Sequence, residues 1–408
     1  MPERFDIVVV GGGAAGLVAA ASGARRGASV AVLERLPRTG KKLLATGGGR
    51  GNLLNENLAA PAFTSSDPGL VASVLDRFGA AEIRAFFEGL GLRLRTEEDG
   101  RVYPATNQAA SILKVLELEV GRLGVSVKAD FEAADITTSS GGFSVASAAG
   151  RTVEARAVIL AGGGKSYPAL GANGSCYALA GRFGHHIVPP VPSAVPLLVK
   201  DPMCHALQGQ KLMVRAVSLI AGQAGQKAAG ELLFAQYGLS GTAALDVSES
   251  LSIAVNRDSK KDAAVIVDLV PFMSEEDLAA ELSRRVEAGW PAKDLGAGLL
   301  PEKFALVMPQ FIEDAGASAG NMSHGEAGRR LAVALKSKKF AVLGTRGWNE
   351  AEFTSGGVDA CEVKHRTLES KLRKGLYFAG EVLDVQGGRG GYNLAWAWAS
   401  GFVAGLME

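Results

Sequence analysis

The chain has little of three features that mark whole classes of protein: cysteine, net charge and long apolar runs. Its three cysteines, Cys176, Cys204 and Cys361, are widely spaced and form no C-x-x-C pair, which argues against a disulfide framework or a redox dithiol. The formal net charge of +1 provides no field to hold a polyanion, so nucleic acid is not expected as a partner. No apolar stretch approaches the roughly 20 residues that span a bilayer, and no signal pattern opens the chain. We therefore expect a cytoplasmic protein with no membrane partner.

Glycine, in contrast, is abundant, with 53 residues in a chain of 408. Average usage is about 7%. The glycines cluster in short runs between apolar segments, which is typical of tight turns rather than of flexible linkers. The length allows two or three domains at roughly 150 residues each.

The first residues predict a βαβ unit. Phe5–Val10 is a continuous β-branched run of the kind buried on both faces of a parallel sheet. An alanine-rich stretch, Ala14–Arg26, predicts a closely packed helix, and Ser29–Leu33 predicts the second buried strand.

The turn between the first strand and the helix reads Gly11-x-Gly13-x-x-Gly16. In such a motif the first glycine permits the turn, the second lets the backbone approach a pyrophosphate, and the third allows close helix–strand packing. Glu34 ends the second strand, 34 − 11 = 23 residues after the first glycine, where an acid accepts hydrogen bonds from ribose hydroxyls. This combination predicts dinucleotide binding.

The far end of the chain favours FAD over NAD. Leu376–Asp384 reads as a strand running into a Gly–acid turn, and a glycine-rich segment, 387–391, precedes a final helix from Tyr392. Such a helix N-terminus suits a flavin's pyrimidine carbonyl. Val158–Ala161, followed by three glycines, matches the interior strand of FAD folds. A plain NAD dehydrogenase has no use for this late second site.

The middle of the chain differs in character. Four prolines within nine residues, Val188–Pro196, indicate a domain boundary. Residues 197–270 then read as several short β segments. Helices are predicted at Ser274–Arg285, Pro301–Ala315 and Gly325–Lys336, and the β pattern returns beyond Ser337.

Several stretches together resemble the BaiN-like flavoproteins, a Rossmann FAD family that includes bile-acid enone reductases and aminoacetone oxidase. They are GKKLLATGGGRGNLLN (40–55), GGKSYPALG (163–171), GELLFAQYGLSG (230–241), GTRGWNEAEFTSGGV (344–358) and GLYFAGEVLDVQGGRGGYNLAWAWASG (375–401). The chain departs from the family pattern at Gly51, where the family usually has cysteine, and at Tyr167, where it usually has tryptophan. These departures indicate a divergent subfamily.

The resemblance implies an α/β fold with a two-part Rossmann-type FAD domain, residues 1–193 and 341–408, and an inserted substrate domain, residues 194–340. The insert would be β-rich over 194–270 and helical over 271–340. We predict a non-covalent FAD site that draws on both parts of the FAD domain. Its residues would be Gly11, Gly13, Ala14, Ala15, Gly16, Glu34, Arg35, Lys41, Lys42, Thr46, Gly48, Gly49, Asn52, Ala161, Gly162, Gly380, Glu381, Asp384, Gly391, Tyr392 and Asn393.

Four residues are candidates for a direct role at the flavin. Arg50 and Asn52 suit hydrogen bonds to the ring, the alternative being a structural loop role. Thr354 precedes paired glycines that would let the backbone approach the flavin face, the alternative being an ordinary turn. Tyr167 could donate a proton, although a phenol there is more often packed with its hydroxyl satisfied. No His, Cys, Asp or Glu cluster has metal-ligand spacing.

These observations predict an FAD-dependent oxidoreductase that transfers a hydride between the flavin and a small organic substrate, by enone reduction or amine oxidation. An RNA-modifying flavoenzyme and a flavin-binding sensor without turnover are the alternatives. The middle segment Gly162-x-Gly164-x-x-Tyr167 lacks the third glycine of a nicotinamide turn. NAD(P)H, if it is the electron donor, is therefore expected to share the cavity of the substrate.

Overall fold

The computed structural model describes residues 2–139, 141–317 and 322–408. These residues form two compact units. The first unit comprises Met1–Pro190 and Phe353–Glu408, and the second comprises Val191–Glu352. The first unit is therefore built from two separated parts of the chain.

Within the described residues the strands and helices follow one another along the chain. The strands are β1 (Glu3–Val10), β2 (Val30–Leu33), β3 (Leu54–Asn55), β4 (Phe63–Ser65), β5 (Leu94–Thr96), β6 (Arg101–Pro104), β7 (Ser126–Lys128), β8 (Ala133–Ser139), β9 (Gly142–Ser147), β10 (Thr152–Leu160), β11 (Ile187–Ser193), β12 (Leu197–Val199), β13 (Lys211–Ile220), β14 (Gln223–Ala235), β15 (Gly238–Ser240), β16 (Ala263–Asp268), β17 (Lys338–Thr345), β18 (Phe353–Val358), β19 (Leu376–Phe378) and β20 (Val385–Gly387). The α-helices are α1 (Ala14–Arg25), α2 (Lys41–Ala45), α3 (Pro68–Arg77), α4 (Ala80–Gly89), α5 (Ala109–Arg122), α6 (Ser175–Gly181), α7 (Pro202–Ala206), α8 (Thr242–Ser252), α9 (Glu275–Glu287), α10 (Met308–Asp314), α11 (His324–Lys336) and α12 (Tyr392–Leu406).

The core of the first unit is a seven-stranded sheet whose order is β7-β2-β1-β10-β9-β8, with β19 also paired to β10. The strands β7, β2, β1, β10 and β19 pair in parallel. Residues 7–10 of β1 and all of β2 are buried because they lie in the interior of this sheet, as their continuous apolar runs predict. The predicted Rossmann-type α/β fold is confirmed.

Strand β10 differs from the sequence-based expectation, which assigned Thr152–Ala155 to a hairpin and Val158–Ala161 to a separate buried strand. The structure joins them in one strand. Its first half pairs antiparallel with β9, where burial alternates. Its second half pairs in parallel with both β1 and β19 and is buried throughout. The change in burial pattern, rather than a break in the backbone, produced the apparent boundary.

Helices α1 and α12 pack closely although they lie near opposite ends of the chain. The Ser22 hydroxyl donates to the carbonyl oxygen of Phe402 over 2.9 Å. A Cβ on Gly401 would lie only 2.3 Å from the carbonyl oxygen of Ala15, so this position on α12 requires glycine. On the same helix, Trp396 and Trp398 are fully buried, with exposures of 1% and 0%. This contact joins the two parts of the first unit.

The second unit contains a closed barrel with strand order β12-β15-β14-β13-β16-β17. It differs from the expected series of short β segments, because β13 and β14 form a long antiparallel hairpin and helix α8 follows β15. Strand β17 pairs with β12 and β16, and the amides of Arg346 and Glu352 donate to the carbonyl oxygens of Pro196 and Ala194, so residues up to Glu352 belong to this unit. The sequence had placed the boundary near residue 340. The boundary lies later in the chain because β17, which begins at Lys338, is a strand of the barrel.

A membrane-spanning helix is not found among the residues that the structure describes, since none of their helices is both long and apolar enough. The same residues contain no group of three or more His, Cys, Asp or Glu side chains placed to hold a metal ion.

A buried histidine should make the stability of the first unit depend on pH. The His185 side chain is 0% exposed, with Nδ1 3.0 Å from Glu362 Oε2 and Nε2 2.7 Å from Ser370 Oγ. Burial lowers the pKa of His185 from its ordinary 6.5, although Glu362 acts in the opposite direction. The unfolded chain then binds this proton at a higher pH than the folded chain. Stability is therefore lost as the pH falls through 6.5.

We expect the free energy of unfolding, measured with urea between pH 5 and 8, to decrease on acidification by up to about 1.4 kcal/mol per pH unit for this one group. His185→Gln should reduce that slope. His186→Gln is the matched control, because that side chain is 60% exposed. Equal slopes in the parent and the His185 variant would contradict the assignment.

Candidate functional site

The glycine-rich turn after β1 has the geometry that its motif predicts. A Cβ on Gly16 would lie 1.8 Å from the carbonyl oxygen of Gly11, so only glycine allows α1 to pack against the turn. A Cβ on Gly13, in contrast, would meet no atom of the described residues within 4 Å. Packing inside the protein therefore explains why position 16 is glycine, but it does not explain why position 13 is glycine. The open space at Gly13 fits a ligand that approaches the backbone.

The N-terminus of α1 is suited to an anion. Gly13 is the N-cap, no side chain of the described residues caps this end, and the first turn contains no acidic residue. Ala14 and Ala15 are the first helical residues, and their small side chains leave the helix end open. Free amide N–H groups and the helix dipole favour a diphosphate at this position.

Glu34 is 8% exposed and held by the backbone. Its Oε2 accepts from the Gly12 amide and its Oε1 from the Leu36 amide, each over 2.8 Å. A carboxylate has about four acceptor positions, so both oxygens can still accept from hydroxyls. Arg35, the next residue, donates to the carbonyl oxygen of Gly171 and lies 3.8 Å from a Glu132 oxygen.

Glu381 is the centre of a polar network that the sequence did not reveal. Its Oε2 accepts from Lys42 Nζ over 2.7 Å and from the Gly164 amide over 3.3 Å. Its Oε1 accepts from the Ser166 hydroxyl over 3.0 Å and from the Thr354 amide over 2.9 Å. Three segments, those of Lys42, of residues 164–166 and of Thr354, thus bind a carboxylate that lies on a fourth segment.

Thr354 and Ser166 complete this network and are almost completely buried, at 1% and 0% exposure. Thr354 Oγ1 accepts from the amides of Lys165 and Ser166 over 2.8 and 3.2 Å, which leaves its own proton as a donor. Ser166 was missed in the sequence, although it lies in the stretch GGKSYPALG that carried the family resemblance. Gly162, just before this loop, packs against Cys176, while Ala161 donates to the carbonyl oxygen of Val10.

The two lysines predicted at the FAD site, Lys41 and Lys42, have protein partners. Lys42 donates to Glu381 and, over 2.6 Å, to the Ser166 hydroxyl. Lys41 donates to the carbonyl oxygen of Ala169 over 3.0 Å. Thr46, further along, donates to the carbonyl oxygen of Leu43. Both lysines therefore fix the loop around residues 164–170 in this structure.

The glycines after Thr46 form an exposed loop in the left-handed region. Gly48 and Gly49 have φ of 65° and 89°, a conformation that glycine adopts at no steric cost. Asn52, at the end of this loop, has a buried Oδ1 with no hydrogen-bond partner among the described residues. A Cβ on Gly391 would lie 2.9 Å from that oxygen. An unpaired buried acceptor beside the first turn of α12 fits a bound donor.

The C-terminal turn is largely engaged with the fold itself. The Gly380 amide donates to Ser400 Oγ over 2.8 Å, and its carbonyl accepts from Trp396 Nε1 over 3.2 Å. The Asn393 side chain bonds both the amide and the carbonyl of Gly387. These contacts shape the turn before α12.

The two remaining cofactor candidates in this region lie on either side of that turn. Asp384 is buried and its amide bonds the Val358 carbonyl oxygen. Tyr392 stacks edge-on against Phe63, with ring centroids 6.1 Å apart.

The other two direct-role candidates are Arg50 and Tyr167. Arg50 donates to Glu97 and Asn107 and lies over the ring of Tyr103. Tyr167 is half-buried and has a left-handed backbone, with φ of 53°. Among these candidates, Thr354 donates its amide to Glu381.

The cysteines should not take part in electron transfer. Burial raises the pKa of Cys176 and of Cys204 to about 12, so both thiols stay protonated at neutral pH. Cys361 is exposed and bonds the carbonyl oxygen of Ser66. We expect a triple Cys→Ala variant, if its circular dichroism matches the parent, to reduce its flavin at an unchanged rate in stopped-flow measurements. Loss of reduction in that folded variant would overturn the expectation.

Comparison with known proteins assigns the chain to a family. The chain matches the model described as HI0933-like protein Rossmann domain over residues 5–407. It is 36% identical over 406 residues to a 3-dehydro-bile acid delta(4,6)-reductase from Clostridium scindens, covering 98% of both chains. It is 31% identical over 409 residues to a ribosomal RNA dihydrouridine synthase from Escherichia coli, covering 98% of this chain and 97% of that one.

The fold is also similar to a solved 3-ketosteroid-delta4-(5alpha)-dehydrogenase from Rhodococcus jostii RHA1. The TM-score is 0.51 and the identity 17%, over 99% of this chain and 96% of the other. The family match and the full-length relative place the chain among FAD-dependent oxidoreductases. The chain belongs to the HI0933-like Rossmann family, which confirms the predicted BaiN-like membership.

Proposed function

We propose that this enzyme adds hydrogen across a carbon–carbon double bond conjugated with a carbonyl group. The observation that carries the proposal is full-length similarity to two relatives with different substrates but one kind of reacting bond. A delta(4,6)-reductase of a 3-dehydro bile acid acts on double bonds conjugated with the 3-oxo group. A dihydrouridine synthase saturates the uracil C5=C6 bond, which is conjugated with the C4 carbonyl.

The N-terminus of α1 and Glu34 would hold the diphosphate and adenosine ribose of FAD non-covalently. Two features support this assignment: the open space at Gly13 and the uncapped helix end behind it. When bound, FAD supplies two-electron hydride exchange with an organic substrate. The protein places the cofactor and excludes water from it. The Glu381 network fixes the four segments that do so.

NAD(P)H, as electron donor, would use the same cavity as the substrate. The segment Gly162-x-Gly164-x-x-Tyr167 lacks the third glycine of a nicotinamide turn. Ping-pong kinetics, with competition between the organic substrate and NAD(P)H, is the expected pattern. A ternary complex with both ligands bound would refute it.

The test follows the flavin absorbance of purified holoenzyme under anaerobic conditions. The enzyme is first reduced and then mixed with 4-androstene-3,17-dione, with uridine or with their saturated counterparts. Reoxidation by a conjugated compound and not by its saturated counterpart supports the proposal. Reduction of the oxidised enzyme by aminoacetone, with no response to any conjugated carbonyl, would instead establish amine oxidation.

Ribosomal RNA is the second candidate substrate, favoured by the 31% identity to the E. coli synthase. The formal net charge of +1 counts against RNA, because it gives the chain no overall positive potential to attract a polyanion. Nucleoside mass spectrometry after incubation with ribosomal RNA that lacks dihydrouridine would decide between the two. New dihydrouridine would establish RNA as a substrate.

A further inference from the structure

Two arginines of the first unit meet over one aromatic ring. The Cζ atoms of Arg50 and Arg95 lie 4.1 and 5.5 Å from the ring centroid of Tyr103. Both donate to Asn107 Oδ1, Arg50 through Nε over 2.9 Å and Arg95 through Nη2 over 3.0 Å. Both also face Glu97 Oε1, at 2.5 and 3.2 Å. Two guanidinium groups thus share one carboxylate oxygen.

One carboxylate is in direct contact with the arginine pair. Among the described residues, Asp99 pairs with Arg101 over 3.2 Å and Glu98 forms no ion pair, so Glu97 is the acid that touches both guanidinium groups. Within the described part of the chain, Arg50 Nη1 and Arg95 Nε and Nη1 make no hydrogen bond. The two side chains are 39% and 40% exposed, so these donors can reach a ligand. Glu97 offsets the repulsion between these two cations, and a second anion at their unused donors would stabilise the pair further.

The pair is also held rigidly. Arg95 and Tyr103 are directly opposite in the β5–β6 pairing. Asn107 has a φ of 57°, and its amide bonds the Pro104 carbonyl oxygen over 2.8 Å, which turns its side chain toward the arginines. Such preorganisation lowers the entropy lost when a ligand binds.

The arginine pair lies beside the glycine loop that we assign to the cofactor. A Cβ on Gly47 would lie 3.7 Å from Tyr103 Cε1, so this loop packs directly on the ring under the two guanidinium groups. Arg50 itself is the residue that follows the exposed glycines. The pair therefore borders the loop that we assign to the cofactor.

We propose that Arg50 and Arg95 form a subsite for an anionic group of the substrate, a carboxylate or a phosphate. The planar fork of guanidinium matches both groups in a bidentate manner. The subsite rests on the proposed function in one respect, namely that the anion belongs to the molecule reduced at the cofactor. It would select conjugated carbonyl compounds that carry a negative charge at a distance from the reacting bond.

The test compares ligands that differ only in charge, with binding to oxidised holoenzyme measured by isothermal titration. One pair is 3-oxo-4-cholenoic acid and its methyl ester, and the other is uridine 5′-monophosphate and uridine. We expect the charged member of at least one pair to bind about tenfold more tightly than its neutral counterpart. Arg95→Gln should abolish this ratio of the two dissociation constants. The pair that shows the ratio identifies carboxylate or phosphate as the source of the charge.

Arg122→Gln is the matched control, because Arg122 is an exposed arginine that pairs with Glu119 at the far end of α5. A parent enzyme that shows no preference for either charged ligand would overturn the subsite. So would a ratio that survives Arg95→Gln, or a loss of FAD in that variant, since the arginines would then hold the cofactor. Binding needs no turnover, so a charge preference in an enzyme that reduces none of these compounds would refute only the proposed function.

Discussion

Gly13→Leu should give a folded protein that no longer retains FAD. A side chain at this position meets no described residue within 4 Å, and the backbone is extended, with φ of −82°, so the fold should accept leucine. The same side chain would fill the space in front of the α1 N-terminus where a diphosphate binds. We expect the FAD affinity to fall more than about a hundredfold, equal to about 2.7 kcal/mol. Acid release of the flavin and its absorbance per mole of protein measure the loss.

Gly16→Ala is the contrasting variant in the same turn. Its new methyl group would overlap the carbonyl oxygen of Gly11, so both folding and FAD retention should suffer. Circular dichroism and urea denaturation then separate the two effects. Full FAD occupancy in a folded Gly13→Leu protein would mean that the diphosphate lies elsewhere.

Glu381→Ala should cause the second large effect, a loss of stability together with weaker FAD binding. The carboxylate is 21% exposed and Lys42 is 28% exposed, so the pair is only partly solvated. Its removal deprives Lys42, Ser166 and the amide of Thr354 of their common acceptor. A lost hydrogen bond to a charged group costs about 1.5–3 kcal/mol, and part of this is recovered from water. We expect the free energy of unfolding to fall by about 2–4 kcal/mol.

Two further variants distinguish charge from shape at this carboxylate. Glu381→Gln keeps an acceptor for the Thr354 amide and should lose less stability than the alanine variant. Lys42→Met removes the cation and leaves the amide bonds, so it isolates the ion pair. The same unfolding free energy for the parent and for Glu381→Ala would show that the network contributes nothing to stability.

The sequence predicted those parts of the fold that depend on local pattern. The buried runs Phe5–Val10 and Ser29–Leu33, and the turn between them, need only neighbouring residues to specify a strand, a helix and a close approach. The final helix from Tyr392 was predicted correctly because its apolar composition continues to Leu406. The strand β10 was divided in two because one half is buried on both faces and the other half on alternate residues.

The polar network could not be predicted, since it depends on contacts between distant segments. Lys42 and Glu381 are 339 residues apart, and no local pattern relates them. Arg50 and Asn107 are 57 residues apart, and their contact depends on the left-handed turn at Asn107. The boundary of the second unit at Glu352 likewise depends on distant contacts, among them the pairing of β17 with β12 and the bond from the Glu352 amide to the Ala194 carbonyl oxygen. Pairing partners of this kind are a property of the folded chain.

The packing of α1 against α12 has a consequence for synthesis on the ribosome. The residues of the second unit, Val191–Glu352, are contiguous, so its barrel can close as soon as they have emerged. The first unit must wait for Phe353–Glu408, since β19 pairs with β10 and Gly401 faces Ala15. We therefore expect nascent chains to expose the apolar surface of α1 until α12 is made, a period in which chaperone contact would be most useful.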